Sequence, residues 1–496
     1  MYGTRPTRPV QQVPVSTRPV RWTAGPLPWL TAVALLFAAV QLAFVVPGSG
    51  LSWDETVYVS QVGGNAPAAY FSAPRARGIS YLVAPVAALT TSTTAVRTYL
   101  ALLSAAALFG ALRIWRTVLP TPVLAGAGAL FAALWPTLFY GPAAMPNLWC
   151  ALGSLAATGW TVRILRGASR PAETTGAASA VALVALMRPA DGFWLALPLM
   201  FAAVLVPGRR RPGLGAGLAG GLVVGCAPWT AEAFAHYGGP VARLHRAGEI
   251  QGGLGWNFAV DDHLRALAGR TLCRPCDIGW ESPATAVWWV ALPLLTTGGI
   301  VAARRAGRGP VALLATATGV STAVPYLFLV EYAAPRFLLP AYALLAVPVA
   351  EYLTHLFARR RVGTVVPALL LAAHLGVQFS ALSHVIRTSH ATGARFAAVA
   401  GALNGMGVRA PCVVSGDDAV PIAYYAGCAS RQTGGHDASI TPEALRDLAR
   451  HVPVAVLVTG GAAPPVTRGS HVVPLPKGRA HLLPGPAVDR ARGGPL

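Results

Sequence analysis

Runs of about twenty apolar residues, parted by short polar or arginine-bearing segments, recur along most of the chain. That length crosses a bilayer as a helix. The pattern predicts spans over 29–46, 95–114, 122–140, 148–165, 175–187 and 193–206. It predicts further spans over 214–231, 284–303, 311–330, 337–357 and 365–382. The expectation is therefore an α-helical polytopic membrane protein with about eleven transmembrane helices. Two polar intervals are long, 47–96 and 232–283. Within the first, 79–89 is apolar but too short to span, so it is expected to lie in the interface or to re-enter.

After 383 the pattern changes. Short β-branched runs at 412–414 and 454–458 read as buried strands. Segments 418–426 and 442–450 read as helices, the second with Thr441 as N-cap. Alternating strand and helix predict a small α/β domain over 383–485. The Pro-, Gly- and Arg-rich residues 486–496 are expected to be disordered.

Charge then fixes the orientation. The chain has 496 residues, of which 39 are Lys or Arg and only 18 Asp or Glu, for a net charge of +21. Charged residues make up 11%, against roughly 25% in soluble domains. The base is almost all arginine, with Lys477 as the sole lysine. It comes in short groups between apolar runs: Arg113 and Arg116; Arg163, Arg166 and Arg170; 209–211; Arg304, Arg305 and Arg308; 359–361. Every second loop is basic, the positive-inside pattern of a membrane protein and not the contiguous patch of a nucleic-acid binder. Segment 1–28 is then a cytoplasmic tail, and 47–96, 232–283 and 383–485 face outside. An arginine-, alanine- and glycine-rich chain of this kind points to a GC-rich bacterial genome and a bacterial plasma membrane.

An oxidising exterior suits the cysteines. Cys412 and Cys428 bracket one strand–helix unit, and Cys273 and Cys276 lie in the second long loop, so a disulfide is the first reading for each pair. A zinc or redox role for Cys273 and Cys276 is the alternative, but no second Cys-x-x-C or close histidine pair completes a zinc set. No metal site and no required cofactor are expected.

In a chain so poor in acids, their positions carry information. Asp54 and Glu55 follow the first span in Ser52-Trp53-Asp54-Glu55-Thr56-Val57-Tyr58. Ser52 and Glu55 have capping-box spacing, which accounts for both without chemistry. Asp54 and its neighbours Trp53 and Tyr58 are not explained that way. External cations add to the picture: Arg75 and Arg77 in the first loop, Arg188 in the turn Arg188-Pro189-Ala190-Asp191, and Arg336 near Glu331. Charges at such places are functional by default. His236 and His245 read as ordinary polar residues.

The Asp54-Glu55 pair, the Arg188-Pro189 turn and Glu331 followed by Arg336-Phe337-Leu338-Leu339-Pro340 occur in an order that resembles the GT-C membrane glycosyltransferases. Protein O-mannosyltransferases and lipid-A aminoarabinose transferases are the nearest types. Pro228-Trp229 ahead of His236-Tyr237-Gly238-Gly239-Pro240 resembles another stretch of these enzymes. The resemblance covers 29–382. It implies a polyprenyl-phosphate sugar as donor, mannose or similar, in contact with membrane lipids, and a glycan, lipid or protein acceptor on the extracytoplasmic face. It also implies Asp54 as base, Glu55 as its support, and inversion at the anomeric carbon. Arg336, with Arg75, Arg77 and Arg188, would bind the donor phosphate, and Trp53, Tyr58 and Glu331 the substrate. The chain departs from the protein O-mannosyltransferases between Tyr70 and Gly78, where it has no acid and one proline, Pro74. A flippase or transporter is the competing reading; it calls for broken helices in matching halves and polar residues midway through spans.

Overall fold

The computed structural model of the chain describes residues 25–168, 170–206, 211–253, 255–277, 279–358 and 365–485. The expected cytoplasmic tail up to 24, the disordered tail 486–496 and the arginines of 359–361 lie outside the described residues. The fold is predominantly helical. Its first half comprises α1 (Pro26–Val40), α2 (Trp53–Ser60), α3 (Gly78–Ala87), α4 (Thr93–Ile114), α5 (Thr121–Ala132), α6 (Trp135–Tyr140), α7 (Pro146–Leu165), α8 (Pro171–Met187) and α9 (Pro189–Leu205). The second half adds α10 (Pro212–His236), α11 (Pro240–Ile250), α12 (Val260–Ala266), α13 (Val287–Arg305), α14 (Gly309–Phe328), α15 (Leu339–Ala358), α16 (Val365–Gly405), α17 (Ala419–Ala426) and α18 (Pro442–Ala449).

Among the described residues, eight helices are long and apolar enough to cross a membrane. The predicted span over 122–140 is instead two pieces, α5 and α6, because Leu134 is extended between them. The helices α8 and α9 have 17 residues each, the short end of the spanning range. The fold is that of a multi-pass membrane protein. Its core is built from α7 and α15, both buried along most of their length. Close helix contact there depends on small residues. A Cβ on Gly221 or Gly225 of α10 would collide with backbone carbonyls of Ala178 and Ala182 on α8.

The α/β unit after the last span forms as expected in outline. Its five strands are β1 (Val413–Gly416), β2 (Ala429–Ser430), β3 (Val454–Val458), β4 (His471–Pro474) and β5 (Arg479–Leu482), in the order β2-β1-β3-β5-β4. The pairs β1–β2 and β1–β3 are parallel, whereas β3–β5 and β4–β5 are antiparallel. The Thr441 hydroxyl accepts from the Ala444 N–H at 3.2 Å, the predicted cap. Cys412–Cys428 and Cys273–Cys276 are disulfides.

The expected boundary at 383 falls within one helix. Helix α16 runs unbroken to Gly405, and its Phe396, Val399, Ala400 and Leu403 pack in the core of the α/β unit. One helix thus belongs to both layers. The unit is also tied to the first loop: the Tyr425 hydroxyl accepts from the Leu51 N–H at 2.6 Å, and the Asn65 amide donates to the Tyr424 carbonyl at 2.6 Å.

Candidate active site

The site begins with a helix end. Ser52 is extended and caps α2, and Glu55 completes the capping box by accepting from the Ser52 N–H at 2.9 Å. The first turn of α2 therefore points its side chains in fixed and opposite directions. Glu55 turns inward and is 3% exposed. Its carboxylate also accepts from Arg97 at 2.9 Å and from the Ala144 N–H at 2.9 Å. Arg97 is itself buried and donates to the Gly50 and Pro142 carbonyls. Glu55, expected beside Asp54 in the chemistry, is placed away from the cavity, and its oxygens hold the first loop onto α4 and the α6–α7 turn. Glu55→Ala would leave Arg97 a buried, unpaired charge, at about 3–5 kcal/mol. A marked fall in melting temperature, measured by thermal unfolding in detergent, is the expected outcome.

Asp54 faces the other way, into a cavity of about 230 Å³. Its wall is drawn from the first loop, the α7 N-terminus, the α8–α9 turn, the second long loop, the segment before α15 and the α/β unit. One Asp54 oxygen accepts from Arg75 at 2.8 Å and the other from Arg336 at 3.3 Å. The carboxylate is 36% exposed, open toward the cavity. Burial pushes its carboxyl up, while Arg75 and Arg336 pull it down. The balance lies below the ordinary carboxylate value, so Asp54 is ionised at neutral pH. Tyr58, on the same helix face and also on the wall, is pushed up to about 12 by burial.

Each arginine is fixed by groups other than Asp54. Arg75 also donates to Ser72 Oγ at 2.6 Å and contacts Asp437 at 3.4 Å. The loop that carries it is clamped by Arg243, which is wholly buried and donates to the Ala73, Trp229 and Arg75 carbonyls at 3.1, 2.6 and 3.0 Å. Arg336 donates to the Thr271 carbonyl at 2.8 Å and to the Tyr140 hydroxyl at 3.4 Å, and its Nε has no hydrogen-bond partner. The guanidinium of Arg188 lies over the rings of Tyr326 and Phe337 at 5.2 and 5.1 Å and pairs with Asp191 at 3.7 Å. It reaches the cavity wall already neutralised.

Of the residues singled out in the sequence, Asp54, Trp53, Tyr58, Arg75, Arg188 and Arg336 line the cavity. Arg77 and Glu331 do not. Arg77 turns to Glu232 and Gln61 and stacks over Phe71. Glu331 is exposed, and its neighbour Tyr332 occupies the wall instead. Both differ from expectation for one reason: residues one or two apart in a loop point to different sides, and spacing alone does not say which.

Four wall residues carried no sequence signal strong enough to find them. Arg274 donates to the Ile250 carbonyl at 2.8 Å and lies over Tyr332 at 4.7 Å. It sits inside the Cys273–Cys276 disulfide loop, which was a usable clue. Asn147 is 1% exposed and neither end of its amide has a partner. His436 and Asp437 come from the α/β unit, over 350 residues from Asp54. Among the described residues no three His, Cys, Asp or Glu side chains gather as a metal set.

Among the described residues, the arginine groups around 163 and 308 lie at the end of the bundle opposite the cavity. Helices α7 and α15 start at the cavity, and α8 ends there. Ion pairs sit toward the far ends, Arg163–Glu173 at 2.6 Å and Arg308–Glu351 at 2.6 Å.

No family model and no curated protein matches the chain. Solved structures do. One is ArnT from Cupriavidus metallidurans bound to undecaprenyl phosphate, at 14% identity and a TM-score of 0.64 over 91% of this chain and 97% of that one. The same protein in the apo state gives 12% and 0.63 over 91% and 96%. The archaeal oligosaccharyltransferase AglB from Archaeoglobus fulgidus, in complex with an inhibitory peptide and a dolichol-phosphate, gives 14% and 0.52 over 86% and 69%. The chain shares the fold of these two membrane proteins along most of its length, and the order of its sequence motifs resembles that of the same class of enzyme.

Proposed function

We propose that this protein is a membrane glycosyltransferase that moves a sugar from a polyprenyl-phosphate donor to an acceptor hydroxyl at this cavity. The observation that carries the reading is the Asp54 carboxylate held between two arginines fixed by other groups, at 2.8 and 3.3 Å. A lone carboxylate needs one such partner. Two, side by side at an open cavity, suit a second anion, and a phosphate accepts from guanidinium forks well. ArnT is similar in fold and has been solved with undecaprenyl phosphate bound, which supports a ligand of this kind here.

The chemistry then runs as follows. The donor phosphate takes up hydrogen bonds from Arg336 and Arg75. Asp54 loses part of its partnership, its burial is less well offset, and it becomes a stronger base. It accepts the proton of the acceptor hydroxyl as that oxygen bonds to the anomeric carbon. The bond to the phosphate oxygen breaks with its electron pair, and the arginines stabilise the charge that collects there. One displacement inverts the configuration. Charge stabilisation rests on arginine in this scheme, and no metal is assigned a part. Mannose or a related sugar is the donor class proposed, and a bacterial plasma membrane the proposed setting. With basic loops inside by the positive-inside rule, the cavity opens on the extracytoplasmic side.

A flippase would need broken helices in matching halves. The cavity instead sits at one end of the bundle, on loops.

The scheme makes a pH prediction. In the free enzyme Asp54 lies below the ordinary carboxylate value, so kcat/KM holds as pH falls and drops only below that range. With phosphate bound and the arginines partly drawn away, the acid limb of kcat should lie at higher pH than that of kcat/KM. A pH series of both constants checks this; coincident limbs contradict it.

A further inference from the structure

The α/β unit reaches the cavity through one loop, between β2 and α18. The base of the loop is closed. The Gln432 amide donates to the Gly416 carbonyl at 3.0 Å and accepts from the Gly416 N–H at 3.2 Å, and the Ser439 N–H donates to the Gln432 carbonyl at 2.9 Å. The Cys412–Cys428 disulfide ties the strands that carry this base. From it Asp437 projects onto the membrane part. Its carboxylate is 16% exposed and has two partners there, Arg75 at 3.4 Å and the Trp53 indole N–H at 3.2 Å. Arg75 thus serves two carboxylates at once, Asp54 and Asp437.

The charge on the cavity wall gives this sharing a purpose. Arg188 is cancelled by Asp191. What remains is Arg75, Arg274 and Arg336 against Asp54 and Asp437, an excess of one positive charge. A sugar phosphodiester carries one negative charge. The phosphomonoester left after transfer has a second pKa near 6 and is mostly doubly charged at neutral pH. Once Asp54 has released the proton it took from the acceptor, the cavity, matched to the donor, undercompensates the product.

We propose that Asp437 is a positioning residue that holds Arg75 and trims the positive field, so that the polyprenyl phosphate product leaves after transfer. This rests on the glycosyltransferase reading above. Without Asp437 the excess rises to two and matches the product. Arg75, still held by Ser72 and Asp54, stays available to it.

The test uses full-length protein in detergent, with polyprenyl phosphate and its sugar-bearing donor as ligands. Asp437→Asn keeps the shape and removes the charge. It should bind polyprenyl phosphate about tenfold tighter than wild type, the effect of one partly screened charge, and gain much less for the donor. Steady-state turnover should fall more than the single-turnover rate, as release becomes limiting. Asp437→Glu should return both toward wild type. Asp437→Ala, checked for an unchanged melting temperature, should repeat the Asn result if the amide disturbs the loop. A merely structural anchor would weaken both ligands together. If wild type binds polyprenyl phosphate and Asp437→Asn binds it equally or less tightly, the Asp437 assignment falls alone. If wild type binds neither lipid, the reading of the whole site falls with it.

Discussion

Asp54→Asn is expected to lower turnover by about 10³-fold or more while donor affinity changes little or rises. The magnitude is that of losing a positioned general base, roughly 10²–10⁴. The direction of the binding change comes from the arginines. Asp54 occupies one fork each of Arg75 and Arg336 in the free protein. A donor phosphate must displace it, and an amide competes less well for the same donors. The variant should fold, because Asp54 is open to the cavity and the capping box of α2 uses Ser52 and Glu55 instead. Lost turnover with retained binding, measured on one preparation, checks both halves. Lost binding together with lost folding would place Asp54 in the scaffold.

Arg336→Ala should be comparably severe in a different way. Arg336 is 8% exposed and bonded to Thr271 and Tyr140 as well as Asp54, so its guanidinium is fixed where a leaving phosphate would gather charge. Removal of one such preorganised donor typically costs about 10²–10³ in kcat. Here the donor is also charged and buried, so lipid-phosphate affinity should fall as well. Arg336→Lys should recover little. An ammonium carries its three donors on one nitrogen and does not reproduce the spread of the guanidinium across Thr271, Tyr140 and a phosphate. Steady-state kinetics with a polyprenyl-phosphate sugar, beside direct binding of polyprenyl phosphate, separates the two losses. A kcat loss below about threefold would remove Arg336 from the proposed role.

Apolar run length marks the spans well, since a bilayer imposes length directly. It marks breaks less well. Leu134 interrupts 122–140 without any change in hydropathy, and α16 continues past the predicted span because Phe396, Val399, Ala400 and Leu403 give its extension an apolar face that packs in the α/β unit. The disulfide pairs were legible from compartment and spacing. The cavity was legible where scarcity helped: in a chain with 18 acids, Asp54 stands out. It was not legible where fold decides direction. Glu55 and Asp54 are adjacent, yet one is spent on Arg97 and the other faces the cavity. Arg75 and Arg77 are two apart, yet only Arg75 lines the cavity. Asp437 and Arg274 reach the cavity through chain folding over hundreds of residues, which no local pattern encodes.

The central claim is that this cavity transfers a sugar from a lipid phosphate with Asp54 as base. Its most direct test is product analysis by mass spectrometry. Purified protein would be incubated with a panel of polyprenyl-phosphate sugars, mannose among them, and a membrane-derived acceptor fraction. The account predicts that one donor is consumed, that polyprenyl phosphate and an inverted glycoside appear together, and that Asp54→Asn yields neither. Consumption of no donor in the panel, or equal product from Asp54→Asn, would contradict it.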